Sequence, residues 1–213
     1  MSPSQEVLRV KPPITSTLAM LLMFNYGAGS AVAETMAAGH RATPMTFTDI
    51  DGRSANTNDY SDRVQVWTFG DYRSSGRLMK WMETAGLQAM SKHPNLRFSF
   101  LNFADVSKVP ALFRPMSIEI MRHMNESAKE DLEEAYAKQG VELTPDRAKF
   151  HLTADWEGDF LKLFGIAHAK QYHCWVVHDG RVIAHLVEGS PDITSRFSAA
   201  IASIEQDRAL NSH

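Results

Sequence analysis

The chain has 213 residues, of which 44% are hydrophobic and 22% are charged, so it has enough apolar residues to form the core of one globular domain. Its formal net charge of −3 gives no indication of nucleic-acid binding through bulk charge. The single cysteine, Cys174, excludes an intrachain disulfide.

The N-terminus has the layout of a secretory signal peptide over residues 1–33. Arg9 and Lys11 precede an apolar run at 14–24, and small residues follow, ending in Ala-Val-Ala. This predicts cleavage before Glu34 and a periplasmic or secreted protein. The alternative is an uncleaved membrane anchor, for which the run is short, because a spanning helix needs about 20 apolar residues.

The N-terminal part of the mature chain is predicted to be a leader followed by a hairpin. Residues 34–44 are small and polar, which predicts a flexible leader before a single domain at 45–207; residues 208–213 would be a tail. Asp-Gly at 51–52 is a strong turn signal and predicts an N-terminal hairpin. Residues 64–69 are apolar almost throughout, which predicts a central strand.

A β-α-β unit is predicted next. Helix is expected from Arg77 to His93, with serines 74 and 75 as N-caps, and a second buried strand from Leu96 to Phe103, parallel to the first. The Gly-Asp break at 70–71 would then lie between a strand and a helix start. The unpaired N–H groups of such a corner favour an anion or a thiolate.

Residues 105–148 are predicted to form a helical insertion, because this segment is long for one connection. Apolar residues at a spacing of four predict an amphipathic helix whose stripe packs in the core, as Met stripes at helical spacing usually do; they are Met116, Ile120, Met124, Ala128 and Leu132. The remaining elements are predicted as strands at 148–153 and 172–177, a short helix at 159–164, a hairpin turn at 178–181 into a strand at 182–187, and a final helix after Ser190-Pro191.

Three segments carry a resemblance to a known family: FTDIDGRSANTNDYSDRVQVWTF, ADWEGDFLKLFGI and HCWVVHDGRVIAHLVEG. They resemble, in that order, the N-terminal hairpin with the first central strand, the aspartate with its short helix, and the terminal hairpin of the thioredoxin-like superfamily, in its branch of periplasmic thiol–disulfide proteins and peroxiredoxins. The resemblance implies an α/β, thioredoxin-like fold. Its central mixed β-sheet would be flanked by helices, with an N-terminal hairpin and a helical insertion.

The departures from that family concern its redox site. The attacking thiol would lie near 72–73 and its resolving partner near 75–76, and neither place has a cysteine. The family's cis-proline would lie near 171–172, and no proline occurs between Pro145 and Pro191. The resemblance therefore does not carry redox activity to this chain. The cysteine-free corner also resembles a family of small periplasmic thioredoxin-like proteins that have Arg and Ser residues there.

The degenerate corner is the predicted binding site. Arg73 and Arg77 beside unpaired N–H groups would hold a small anion or a partner's carboxylate; the alternative is two solvated arginines on a surface turn. The hypothesis is an exported protein without dithiol redox catalysis or a cofactor, whose partner is another exported protein or a second copy of the chain. The corner residues are Tyr72, Arg73, Ser74, Ser75 and Arg77.

The alternative hypothesis is a redox or copper-handling protein that uses Cys174 or the histidines. Thioether and imidazole groups suit Cu(I), but the corner lacks the two thiolates of copper carriers with this fold, so no metal is expected. A lone Cys within an apolar strand is typical of a small buried hydrophobe. The sequence contains no Gly-x-Ser-x-Gly motif of the kind that would favour hydrolysis. The candidate metal ligands are His168, His173, Met121, His123 and Met124.

Overall fold

The computed structural model describes residues 36–166 and 170–210, with the main chain alone at Tyr72. The predicted signal peptide and the candidate ligand His168 lie outside the described residues. Among the described residues, no helix has the length and apolar character needed to cross a bilayer.

Within the described residues, seven strands and four α-helices follow one another in the order that the sequence predicts. The strands are β1 (Thr46–Thr48), β2 (Ser54–Asn56), β3 (Val64–Asp71), β4 (Phe98–Asp105), β5 (Ala148–Asp155), β6 (His173–His178) and β7 (Arg181–Val187). The helices are α1 (Tyr72–Lys92), α2 (Arg114–Ala137), α3 (Asp159–Leu163) and α4 (Ile193–Leu210), with 3₁₀ turns at 57–60 and 111–113.

The main sheet has the strand order β5-β4-β3-β6-β7, and β1 and β2 form a separate antiparallel hairpin. Strands β3, β4 and β5 are parallel, whereas β6 and β7 are antiparallel to their neighbours. A β-α-β unit at the centre of the sheet, completed by an antiparallel hairpin and a C-terminal helix, is the arrangement implied by the resemblance. The predicted thioredoxin-like α/β fold is therefore confirmed.

Each face of the sheet has its own hydrophobic core, because side chains alternate along the strands. Val66, Phe100 and Val176 face α1, α4 and the C-terminal half of α2. On the other face, Trp67 and Trp175 pack with the hairpin, with residues 36–45 and with the aromatic cluster around α3.

Residues 36–44, for which the sequence predicts a flexible leader, instead run along the sheet edge at β7. Met36 is 2% exposed, and its carbonyl accepts a hydrogen bond from the Trp175 indole at 3.1 Å. Gly39 N–H donates to Val182 O at 2.7 Å, and Val182 N–H donates to His40 O at 2.9 Å. The segment thus covers the exposed edge of β7. The sequence of the segment, which is small and polar, gives no sign of this pairing. At the other end, α4 continues through residues 208–210, which were predicted as tail.

The apolar residues spaced by four along α2 do not form one buried stripe. Leu132 is 8% exposed, but Met116, Ile120 and Met124 are 58%, 52% and 60% exposed. Each step of four residues turns an α-helix by about 40° beyond one full revolution. Four such steps rotate the direction by about 160°, so the two ends of the pattern lie on opposite sides of the helix.

Candidate functional site

The predicted corner lies where β3 passes directly into α1. Asp71, and neither serine, is the N-cap: its carboxylate accepts hydrogen bonds from the N–H groups of Arg73 at 2.9 Å and Ser74 at 3.1 Å. The Ser74 hydroxyl in turn accepts from Asp71 N–H at 3.0 Å. This reciprocal capping box fills the helix N-terminus with the chain's own carboxylate. The site for an external anion that the sequence predicts there is therefore already occupied.

Ser74 is buried within the corner. It is 0% exposed and lies against Gly70, where an added Cβ would be 2.5 Å from its hydroxyl oxygen. Ser74 was predicted to belong to a binding surface. It shapes that surface from beneath and has no exposed atoms with which to contact a partner.

Arg77 joins α1 to the end of β7 through an ion pair with Glu188. Its guanidinium also donates to Arg73 O at 2.7 Å and to Lys170 O at 3.3 Å, while Glu188 accepts from Tyr172 N–H at 3.2 Å. The hydrogen bond between the two side chains lowers the pKa of Glu188 and raises that of Arg77. Glu188 thus neutralises one of the two positive charges predicted at the corner.

The structure brings all five corner residues together on the first two turns of α1. Of their described side chains, those of Arg73 and Arg77 are exposed and that of Ser75 is half-buried. The described residues contain no cis peptide bond.

Cys174 occupies the middle of β6 and is 0% exposed. Burial raises the pKa of its thiol, so the reactive thiolate is disfavoured as well as inaccessible. His173 lies on the opposite face of the strand, as the alternation of side chains predicts, and stacks on Trp175.

His173 and His185 form a half-buried pair on adjacent strands. His173 Nδ1 lies 3.2 Å from His185 Nε2, and the His185 ring is parallel to the Trp175 indole with centroids 4.3 Å apart. Burial is the main cause that lowers the pKa of His185 to about 4, and the nearby His173 and Arg196 lower it further. Burial also lowers the pKa of His173. Both rings are therefore neutral at pH 7.

Of the proposed metal ligands, the structure places His173 on β6 and three residues on α2. His123 and Met124 are exposed there, and Met121 is half-buried. Within 36–166 and 170–210, no group of three or more His, Cys, Asp or Glu side chains is arranged to hold a metal ion.

Sequence reasoning missed a polar cluster that joins Asp49, Tyr60 and His151. His151 Nδ1 is 3.3 Å from an Asp49 carboxylate oxygen, and its Nε2 is 2.9 Å from the Tyr60 hydroxyl. The other Asp49 oxygen accepts from the N–H groups of Asp51 and Arg53 and closes the hairpin turn. Asp49 and His151 are 102 residues apart, so no local pattern signals the contact.

An exposed apolar surface, here called the α2 stripe, lies on the insertion. Its five side chains lie on the 3₁₀ turn at 111–113 and on the first half of α2, and they are between 48% and 84% exposed, which is unusual for a cluster of large apolar residues. They are Leu112, Phe113, Met116, Ile120 and Met124.

No protein-family model and no curated protein matches the chain. Among solved structures, it is similar to a putative thiol:disulfide interchange protein DsbE from Chlorobium tepidum, with 16% identity, a TM-score of 0.47, and coverage of 78% of this chain and 99% of that one. It is also similar to a thiol:disulfide interchange protein from Bacteroides sp., with 17% identity, a TM-score of 0.46, and coverage of 81% and 90%. An exposed lipoprotein thioredoxin from Streptococcus pneumoniae has 14% identity and a TM-score of 0.41, with coverage of 76% and 99%.

Proposed function

We propose that the chain is an exported thioredoxin-like protein that acts by binding another protein and performs no dithiol redox chemistry. The observation that carries this proposal is the closed cap at the start of α1. Where the resemblance places an attacking thiol, the chain has a carboxylate–hydroxyl capping box formed by Asp71 and Ser74.

The electrostatics of that cap support the non-redox part of the proposal. A helix N-terminus activates a cysteine by stabilising its thiolate. In this chain the N-terminus stabilises the Asp71 carboxylate, and the only thiol, Cys174, is buried on β6 with a raised pKa. Thiol–disulfide exchange needs an accessible thiolate, and Cys174 does not provide one.

The binding part of the proposal is supported by exposed surface of two kinds. The corner exposes the guanidinium groups of Arg73 and of Arg77, the latter within its ion pair with Glu188, and guanidinium groups suit charge-assisted hydrogen bonds to a partner. The α2 stripe offers apolar surface of the kind that marks protein interaction sites.

The redox part is tested by assaying insulin-disulfide reduction, and peroxide consumption with a thiol donor, on purified protein. We expect no turnover above the uncatalysed rate, and no difference between the wild type and Cys174→Ala. Turnover that disappears in Cys174→Ala would contradict the proposal.

The corner is tested by crosslinking to partners in cells that export the protein. We expect Arg73→Ala combined with Arg77→Ala to weaken capture of the partner while changing the thermal midpoint little, because an exposed ion pair contributes at most about 1 kcal/mol. Glu188→Gln is the matched control, since it breaks the same ion pair and leaves both arginines in place. Equal losses in the two variants would mean that the arginines act structurally.

Export is tested by mass spectrometry of the protein recovered outside the cytoplasm. We expect an N-terminus at Glu34, two residues before the buried Met36. An intact Met1 in the membrane fraction would mean that the segment is retained as an anchor.

A further inference from the structure

We propose that an open cavity beside the N-terminal hairpin, here called the hairpin cavity, binds an extended, uncharged segment of a partner protein, which pairs with the outer edge of β1. The cavity lies between the hairpin, the first half of α2 and the C-terminal end of β5, and its volume is about 510 Å³, a size typical of ligand sites. This inference rests on the proposed function, because it identifies the part of a protein partner that the chain recognises.

The lining of the hairpin cavity is mainly apolar. Phe47 and Phe160 line it and pack against Phe103 of the sheet, with ring centroids 5.9 Å and 4.6 Å from the Phe103 ring. Ile118 lines it from α2 and Trp156 from just beyond β5, and both are half-buried. An apolar side chain that enters the cavity would therefore leave water for a largely aromatic environment.

The outer edge of β1 presents unpaired main-chain groups to the cavity. Asp49 N–H donates to Arg53 O at 3.0 Å, on the side of β2. Because these groups alternate in direction along a strand, those of Thr46 and Thr48 point away from β2. Both threonines line the cavity, and within the part of the chain that the structure describes their main-chain groups have no hydrogen-bond partner.

The C-terminal end of β5 presents a second unpaired edge to the same cavity. Asp155 O accepts from Val106 N–H at 3.2 Å, on the side of β4. Leu152 O accepts from Ile50 N–H at 2.8 Å, on the side of the hairpin. The same alternation directs the N–H and C=O groups of Ala154 to the hairpin side, where no described residue bonds to them. Ala154 lines the cavity, so the two strand edges separate around it beyond the single bond that joins them.

A buried hydroxyl in the cavity also has no partner. Thr153 is 4% exposed and lines the cavity, and its hydroxyl forms no hydrogen bond within residues 36–166 and 170–210. Hydroxyl groups at such buried positions are normally hydrogen-bonded. A bound segment would supply the missing partner.

These unpaired groups identify the occupant as an extended main chain. A strand that adds to a sheet edge offers N–H and C=O groups at alternate residues, and its alternate side chains point to one side, into the cavity.

The charges around the cavity indicate that this segment is uncharged. Two guanidinium groups adjoin it, since Arg122 donates to the carbonyl of residue 50 and Arg114 lies over the Trp156 ring. Both are already paired, Arg122 with Asp51 and Arg114 with Glu157. A charged side chain from the partner would therefore find no free counter-charge in these groups.

The test is selection of binders from a phage-displayed library of seven-residue peptides on the purified exported protein. We expect enrichment of uncharged sequences in which apolar and polar residues alternate. For a selected peptide, Ile118→Asp should weaken binding at least about 10-fold, because it places a charge in the apolar lining. Ile120→Asp is the matched control: this residue is 52% exposed on the same helix and does not line the cavity, so binding should be unchanged.

A second variant acts on the strand edge itself. Thr48→Pro removes an outward N–H donor and no hydrogen bond between β1 and β2, so it should weaken binding at least about 5-fold with little change in the thermal midpoint. On the side of the peptide, N-methylation at successive residues should weaken binding at every second position, because only alternate amides face β1.

Four outcomes would overturn this inference: no enriched peptide, equal binding by wild type and Ile118→Asp, a loss with Ile120→Asp instead, or a uniform response to N-methylation. The last would mean that the cavity takes an apolar side chain or a small molecule without strand pairing. If the peptides fail while Arg73→Ala with Arg77→Ala still loses the crosslinked partner, the cavity is excluded as the recognition site and the proposed function stands.

Discussion

The shape of the corner depends on a contact between one glycine and one serine hydroxyl. Ser74 supplies the oxygen that accepts from Asp71 N–H, and it fits because Gly70 has no side chain. At Gly70 an added Cβ would come to 2.5 Å from Ser74 Oγ but only to 3.6 Å from Ser74 Cβ, so the conflict involves the hydroxyl alone. Asp71, Ser74 and Gly70 therefore act as one unit.

Gly70→Ala is expected to destabilise the fold by about 1–3 kcal/mol, because the new methyl group displaces the capping hydroxyl. In a Ser74→Ala background the same change should cost at least about 1 kcal/mol less, since the clashing oxygen is gone. Urea unfolding of the wild type, the two single variants and the double variant measures this coupling.

Gly76→Ala is the matched control, and its expected effect has the opposite sign. Nothing lies within 4 Å of a Cβ added at Gly76, so alanine at this helical position should stabilise the fold by about 0.5–1 kcal/mol. Strictly additive costs at Gly70 and Ser74 would contradict the account.

At the level of elements, the sequence predicts those whose signals are local. The Asp-Gly turn between β6 and β7 is such a case: Asp179 and Gly180 have φ angles of 48° and 66°, which a two-residue hairpin turn of the common type needs. The start of α1 was misplaced because Asp71, Ser74 and Ser75 are all good N-cap residues. Only the tertiary packing of Ser74 under Gly70 decides among them.

The N-terminal hairpin is attached to β5 by contacts that no local pattern could predict. Ile50 N–H donates to Leu152 O at 2.8 Å, and next to it His151 lies between Asp49 and Tyr60. With the Nδ1 proton directed at Asp49, the Nε2 atom accepts from the Tyr60 hydroxyl. One imidazole thereby joins the hairpin, the 3₁₀ turn at 57–60 and the edge strand.

His151→Leu is expected to destabilise the protein by about 1–3 kcal/mol, because the buried Asp49 carboxylate and Tyr60 hydroxyl both lose a partner. Adding Tyr60→Phe to His151→Leu should cost less than it does in the wild type, since the hydroxyl already has no acceptor there. Urea unfolding gives the energies, and amide hydrogen exchange at β1 and β2 locates the loosened element. Exchange that rises equally across the whole sheet would mean that the hairpin is not attached by this cluster.

At the scale of the whole molecule, three partly buried histidines make the stability of the fold sensitive to acid. Burial lowers the pKa of His151, His173 and His185, although Asp49 opposes this effect at His151. In the unfolded chain each imidazole takes up a proton near pH 6.5. Below that pH the unfolded state binds more protons than the folded state, so the free energy of unfolding falls.

The pH window follows from His185, whose pKa is lowered to about 4. Its contribution should be fully present above about pH 6.5, be lost progressively as the pH falls, and change no further below about pH 4. Because the ring keeps some contact with solvent, we expect a loss of only about 1–2 kcal/mol over this range.

His185→Phe keeps a ring against Trp175 and removes the titrating group, so its unfolding free energy should vary less between pH 7 and pH 4 than that of the wild type. His40→Gln, which removes an exposed histidine, is the control. Urea unfolding at half-unit pH steps makes the comparison, and parallel curves for wild type and His185→Phe would show that the histidine pair does not determine the acid response.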